Sequence, residues 1–196
     1  MVLDYSMMQW VLSVILGVSL TRFITAVTQI ARQRHQIKFD FLLVGLLISM
    51  ILTLTTRWFR SPGAYNTAEG KFIPFMLLFL MDLFYVTAFE SVVPNLELYD
   101  TIDLKEMYFN QKNLFFAAMT GLGLIFLVLF IFYPEVDVIG IKLSSKLATI
   151  SFNTLIVVIL PVLLIISNNY YLHAFNIVLV ILGIGSELLT YAIEMK

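Results

Sequence analysis

The chain of 196 residues contains no cysteine and few charged side chains. Without cysteine there can be no disulfide, thiolate metal site, iron–sulfur cluster or thiol catalysis within it. Only 13% of the residues are Asp, Glu, Lys or Arg, whereas soluble domains carry about 25%. The net charge of −1 gives no basic field, which argues against nucleic acid as a partner.

Signatures of catalysis and of cofactor binding are also missing. The sequence has no Gly-rich phosphate loop, no nucleophile elbow and no zinc-protease motif. Its two histidines, His35 and His173, have no carboxylate neighbours at the spacing of metal ligands. We therefore expect that the protein is not an enzyme and that it holds neither a metal nor a cofactor.

Apolar residues are abundant instead, at 60% of the chain with a mean hydropathy of +0.94. They form six runs of about 20 residues, which is the length that crosses a bilayer as a helix. The short connections leave no room for a folded water-soluble domain. The sequence predicts an all-α polytopic membrane protein, a single transmembrane domain over 1–196 and a bundle of six transmembrane helices in the lipid bilayer. The predicted spans are about 5–30, 41–59, 72–93, 112–133, 147–166 and 172–193.

Local signals place the ends of these spans. Pro62-Gly63 predicts a turn after the second span. Asp103, followed three residues later by Glu106, has the form of an acidic N-cap and predicts a helix that begins before the fourth span. Pro161 predicts a kink in the fifth span, and the polar residues 167–169 predict a tight turn before the sixth.

The distribution of Lys and Arg indicates an orientation. The segment before the first span has none, whereas the connector after it contains Arg32, Arg34 and Lys38. This asymmetry favours an N-terminus outside the cell, with the C-terminus on the same side because six spans separate them. The same three side chains could also contact anionic lipid headgroups, although topology alone accounts for them.

Five ionisable side chains of Arg, Asp and Glu lie inside the predicted spans: Arg22, Arg57, Asp82, Glu90 and Glu187. A charge in hydrocarbon costs at least about 2.5 kcal/mol, so each needs a partner, a cavity or a proton. Spans one and three run in the same direction, which places Arg22 at a depth between Asp82 and Glu90. Arg57 matches Glu187 in depth. One acid is then left over, and Asp82, nearest the midplane, is the candidate proton site.

Other interpretations of these side chains stay open. Intramembrane ion pairs can hold helices together, and Arg57 can serve only as an anchor that reaches the interface with its long stem. On the first span Ser13, Gly17, Thr21 and Thr25 recur every four residues. Such a stripe of small residues allows close helix packing, either within the chain or in a homo-oligomer.

Three short segments resemble a family of small, uncharacterised bacterial multi-pass integral membrane proteins. The resemblance covers the general layout of most of the chain and implies a location in the bacterial inner membrane. It transfers no activity and no functional residues. The segments are Leu16-Gly17-Val18-Ser19-Leu20-Thr21-Arg22, Asp103-Leu104-Lys105-Glu106-Met107-Tyr108-Phe109 and Leu114-Phe115-Phe116.

Two functions follow from these observations. The first is a small oligomeric channel or transporter in which Arg22, Asp82 and Glu90 line a polar pathway. The alternative is a non-transporting membrane sensor, scaffold or partner subunit whose buried pairs fix the fold. A fully paired Arg22 and the lack of a cavity reaching Asp82 would favour the alternative.

Overall fold

The computed structural model describes residues 5–32, 35–93, 102–134, 136, 150–151 and 154–194. This part of the chain is predominantly helical, which confirms the all-α class. Four helical segments are long and apolar enough to cross a membrane: Ser13–Arg32, Phe41–Phe59, Phe72–Val92 and Leu104–Phe132. Two further apolar segments, Leu155–Ile166 and Tyr170–Gly185, are shorter, so the six-span bundle stays a prediction.

Two short strands, β1 (Ile37–Lys38) and β2 (Ile102–Asp103), pair in parallel. Since β1 follows the first helix and β2 precedes the fourth, this pairing joins two connectors at one end of the molecule, here called the connector end. The helical elements are α1 (Tyr5–Arg32), α2 (Phe41–Ala68), α3 (Phe72–Val92), α4 (Leu104–Phe132), a π-helical segment (Leu155–Ile159), α5 (Leu160–Ile166) and α6 (Tyr170–Glu194).

Carboxylates and an amide cap three of these helices. Asp40 Oδ1 accepts the backbone N–H of Leu42 at 2.8 Å at the start of α2. Asp103 Oδ1 accepts the N–H groups of residues 105 and 106 at 3.0 and 3.2 Å, so α4 begins where the sequence predicts. Asn169 Oδ1 accepts the N–H of Tyr171 at 3.0 Å after the predicted tight turn. Each cap satisfies a donor that has no partner within its own helix.

The predicted turn at Pro62-Gly63 is wrong, because α2 continues through it to Ala68. Proline has no N–H to donate to the carbonyl of Trp58, four residues earlier. The hydroxyl of Ser61 donates to that carbonyl instead, at 3.1 Å, which keeps the oxygen partnered. The chain turns later, at Gly70, whose φ of +73° suits glycine best.

A π-helical segment lies just before Pro161, where the sequence predicts a kink. Pro161 cannot donate to the carbonyl of Val157, and the N–H of Leu160 bonds five residues back, to Leu155. The Val157 oxygen lies against α4, only 2.0 Å from where a Cβ on Gly123 would stand. Glycine at this position therefore permits the close approach of the two helices.

The core lies between α2, α3 and α4. Phe84 of α3 packs over Gly121 of α4, where its ring leaves no space for a Cβ. On the other side α6 packs on α2, with Ile177 against Gly45. The described side chains of α1 are mostly exposed, so α1 lies at the edge of the bundle.

Candidate functional site

Two buried charges of the described chain, Arg57 and Asp82, form a cluster with Tyr65 between α2 and α3, here called the interior triad. Arg57 Nε donates to Asp82 Oδ1 at 2.8 Å, and the hydroxyl of Tyr65 donates to Asp82 Oδ2 at 2.5 Å. None of the three side chains is more than 4% exposed. Both carboxylate oxygens of Asp82 are therefore partnered by α2.

This arrangement corrects two predictions. Asp82 is not the unmatched acid, since Arg57 is its partner. Arg57 is buried and does not reach outward as an anchor. The predicted match of Arg57 with Glu187 stays a prediction, because the side chain of Glu187 lies outside the described residues. Helix depth alone led to these errors, because depth does not show which way a side chain faces.

Tyr65 is a member of the triad that the sequence does not reveal. A helix that ended at Pro62-Gly63 would leave Tyr65 in a connector. Because α2 continues to Ala68, Tyr65 stays on the same rigid helix as Arg57 and reaches Asp82. The Ser61 hydroxyl, which can replace the missing proline donor, is the signal that could have shown this.

A small cavity of about 20 Å³ adjoins the triad. It is lined by Arg57, Asp82, Trp58, Tyr85 and apolar side chains of α1, α2 and α3. The two terminal nitrogens of Arg57 are buried and have no hydrogen-bond partner among the described residues. The volume suits a single water molecule, which would need polar neighbours such as these nitrogens.

The structure brings Arg22 and Glu90 together, as their depth in the helices predicts. Arg22 Nη1 of α1 donates to Glu90 Oε2 of α3. The side chain of Arg22 is 57% exposed and that of Glu90 30% exposed, in contrast to the interior triad. This pair, here called the outer pair, lies on the outside of the bundle where α1 meets α3.

Most of the small-residue stripe on α1 faces outward. Ser13 accepts a hydrogen bond from Trp58 Nε1 at 3.1 Å and so links α1 to α2. Apart from its own helix backbone, no described residue places a heavy atom within 4 Å of where a Cβ on Gly17 would stand. The hydroxyls of Thr21 and Thr25 donate to carbonyls of α1 itself, at 2.9 Å. The part of the stripe from Gly17 to Thr25 is thus open to another helix.

Near the connector end, Lys112 closes the C-terminus of α5. Its ammonium donates to the carbonyls of Leu164, Ile165 and Ser167 at 3.1, 2.7 and 2.6 Å. These carbonyls lack partners within α5, and the negative end of the helix dipole favours a cation there. The sequence places Lys112 at the start of the fourth predicted span and does not reveal its partners, because they lie more than fifty residues away along the chain.

His173 lies beside this lysine and joins α4 to α6. Its Nε2 is 2.9 Å from the carbonyl of Ser167, and its Nδ1 is 2.6 Å from the hydroxyl of Tyr108. A carbonyl can only accept, so Nε2 carries the proton and Nδ1 accepts from the tyrosine. The imidazole is thus a structural link between helices.

Asp40 connects the starts of α2 and α6. It accepts a hydrogen bond from the phenol of Tyr170, and burial together with this carboxylate raises the pKa of Tyr170. Lys105 of α4 lies 5.1 Å from the centre of the same ring. The connector end therefore combines acidic, basic and phenolic groups from three helices.

A larger cavity, of about 250 Å³, lies on the other side of Tyr85 from the small one. Its walls come from α2, α4, the π-helical segment, α5 and α6, and they are mostly apolar. Two hydroxyls on its wall, of Ser49 and Thr53, donate to carbonyls of their own helix at 2.8 Å. The chemistry of this cavity suits hydrocarbon more than ions.

Comparison of the chain with protein-family models, with curated proteins and with solved structures finds no match. Function must therefore follow from the geometry of the chain's own residues. In the described part of the chain, no group of three His, Asp or Glu side chains stands close enough to hold a metal ion. The features on which a functional proposal can rest are the interior triad, the outer pair and the apolar cavity.

Proposed function

We propose that the protein is a multi-pass membrane protein of six helices that acts as a non-transporting partner subunit, scaffold or sensor. The observation that carries this proposal is the interior triad, in which Asp82 is held by Arg57 and Tyr65. No catalytic role, cofactor or metal belongs to the proposal. The resemblance to bacterial integral membrane proteins adds the inner membrane as its location.

The triad has the properties of a structural lock. A conducting pathway needs polar groups that face a continuous aqueous space. Both oxygens of Asp82 are instead occupied. A cavity does reach Asp82, but its volume of about 20 Å³ suits one water molecule and is too small for a continuous aqueous pathway. Breaking a buried ion pair by removing one partner costs about 3–5 kcal/mol, so the triad fixes how α2 and α3 sit together.

The outer pair supports a role in association. Charges exposed to hydrocarbon are costly, and a neighbouring helix that covers them lowers this cost. The adjacent stripe of small residues on α1 lets such a helix approach closely. A second copy of the chain fits, because a twofold axis would place the Glu90 of one copy beside the Arg22 of the other.

The connector end supports the orientation that the sequence favours. Arg32, Lys38, Lys105 and Lys112 all lie toward this end. Positive charge flanking membrane spans favours the cytoplasmic side, which places both termini of the six-span chain outside. Anionic lipid headgroups remain proposed partners of Arg32, Arg34 and Lys38, although Arg34 lies outside the described residues.

Flux measurements test the non-transporting function. The purified chain is placed in liposomes, and proton and ion fluxes are recorded under pH gradients and applied voltage. We expect fluxes equal to those of protein-free liposomes, and the same for Asp82→Asn and Arg22→Gln. Flux in the parent that a folded Asp82→Asn variant loses would overturn the proposal.

One observation favours proton-linked transport as a second candidate. The terminal nitrogens of Arg57 face a space of water size beside Asp82, so a water molecule there could receive a proton. In that case Asp82 would exchange its proton while the triad opens. The same flux measurement separates the two functions, because only this candidate predicts a proton current that Asp82→Asn abolishes.

A further inference from the structure

The large cavity opens sideways, toward the surface that the bilayer would cover. The π-helical segment and α5 pack on α4, whereas α6 packs on α2, and the cavity lies between these two groups. Two of its lining residues, Ile156 and Val180, are 37% and 36% exposed. Entry is therefore from the side of the bundle.

The interior of the cavity is suited to hydrocarbon. Leu46, Met50 and Ile177 are almost completely buried on its wall. The hydroxyls of Ser49 and Thr53 are already satisfied within α2. Apolar cavities of about 150 Å³ stay dry and bind small hydrocarbons, and this one is larger, at about 250 Å³.

Asn176 places an amide group on the mostly apolar wall of the cavity. Its side chain lines the cavity and is half-buried. It lies six residues after Tyr170, which is about 9 Å along α6 from the connector end. An amide at that depth can donate a hydrogen bond to an oxygen of an amphipathic molecule. The polar part of such a molecule would lie at the connector end, and its apolar part would extend into the cavity.

We propose that the cavity binds one acyl chain of a membrane phospholipid. The ester carbonyl accepts a hydrogen bond from the Asn176 amide, and the chain runs along α6 toward Ile184, about 12 Å further on. The headgroup lies at the connector end, near Lys105. This binding goes beyond the proposed function and holds whether or not the protein conducts ions.

Photocrosslinking tests this site. The full chain is placed in phosphatidylcholine liposomes that contain phosphatidylglycerol with a diazirine in one acyl chain. After irradiation the protein is extracted, and mass spectrometry locates the labelled residues. We expect label on Val157 and Ile177 of the cavity wall, and we expect the same label when irradiation follows extraction into detergent, because a bound lipid stays with the protein.

Two valines on α6 form a matched pair of variants. Val180→Phe places a ring in the opening of the cavity and is expected to lower labelling of Ile177 by about tenfold, since an overfilled cavity admits no chain. Val178→Phe makes the same change at an exposed position outside the cavity lining and is expected to leave the labelling unchanged. Circular dichroism confirms that both variants are folded.

The Asn176→Leu variant removes the amide and keeps the apolar wall, so it tests the contribution of the amide alone. Loss of one hydrogen bond is expected to weaken retention of the lipid after extraction by about fivefold. Label confined to outward residues such as Leu179 and Leu182 would overturn the site. An equal loss of Ile177 labelling in Val180→Phe and Val178→Phe would also overturn the site. Labelling of the cavity by a diazirine-bearing palmitic acid but not by the phospholipid would overturn the phospholipid as occupant.

Discussion

The two described arginine–acid pairs between the long helices differ mainly in their surroundings. Arg57 and Asp82 are each 4% exposed, whereas Arg22 is 57% exposed beside Glu90. The inner pair has a third member, Tyr65, which satisfies the second carboxylate oxygen. The same type of ion pair therefore has two different roles. The inner pair fixes α2 against α3, whereas the outer pair is exposed and can interact with a neighbouring helix that covers α1.

Removal of the inner arginine should have the largest effect. Arg57→Leu leaves the Asp82 carboxylate buried without its cation, which is expected to lower the free energy of unfolding by about 3–5 kcal/mol. Thermal unfolding in detergent micelles measures the loss. The double variant Arg57→Met, Asp82→Leu is the control, and it is expected to recover most of the stability. A double variant as unstable as the single one would contradict the assignment.

Glycine substitutions extend the comparison from charge to packing. Gly123→Ala puts a Cβ 2.0 Å from the Val157 oxygen in the interior, so the helices must shift, at about 3 kcal/mol. Gly17→Ala on α1 meets nothing within 4 Å and gains helix propensity, so the monomer is expected to be unchanged or slightly more stable. Equal melting temperatures for the two variants would show that the interior is not packed as described.

Tyr65→Phe tests the third member of the triad. It removes the hydrogen bond to Asp82 Oδ2 and leaves the ring in place, for an expected loss of about 2 kcal/mol, since the acceptor is charged. Thermal unfolding measures this effect as well. Tyr171→Phe, at an exposed tyrosine, is the matched control, and we expect no loss there. A Tyr65→Phe variant as stable as this control would remove Tyr65 from the triad.

Arg22→Gln should have the smallest effect on the folded monomer. Glu90 lies two residues from the end of α3 and can reach the interface, so we expect a loss below about 1 kcal/mol. Association should respond more strongly, because the proposed contact loses its cation. Energy transfer between labelled copies in liposomes measures association. If Arg22→Gln lost as much stability as Arg57→Leu and its association were unchanged, the outer pair would be structural. The proposed role of this pair in association would then be wrong.

Hydropathy and capping signals predict much of the fold. The third span was expected over 72–93, and α3 covers Phe72–Val92. The helix start after Asp103 follows from a local hydrogen bond between a carboxylate and nearby N–H groups. Such features need only neighbouring residues. The end of α2 was missed because a serine hydroxyl compensates for Pro62, an exception to the usual effect of proline.

The candidate site was less predictable. Depth along parallel helices places Arg22 between Asp82 and Glu90, and the structure pairs it with Glu90. Depth did not show that Arg57 meets Asp82. Which side chains meet depends on how each helix is rotated about its axis and on which helix lies beside it. Neither property can be read from the residues that neighbour a side chain in the sequence. The bonds of Lys112 to the end of α5 and the cavity between α5 and α6 also depend on tertiary packing.

A double-mutant cycle on Arg57 and Asp82 tests the central claim most directly. Unfolding free energies of the parent, Arg57→Met, Asp82→Leu and the double variant give the coupling between the two side chains. A structural lock predicts a coupling of about 3 kcal/mol, because each single variant strands its partner. A coupling below about 0.5 kcal/mol would contradict the claim that this pair holds α2 and α3 together.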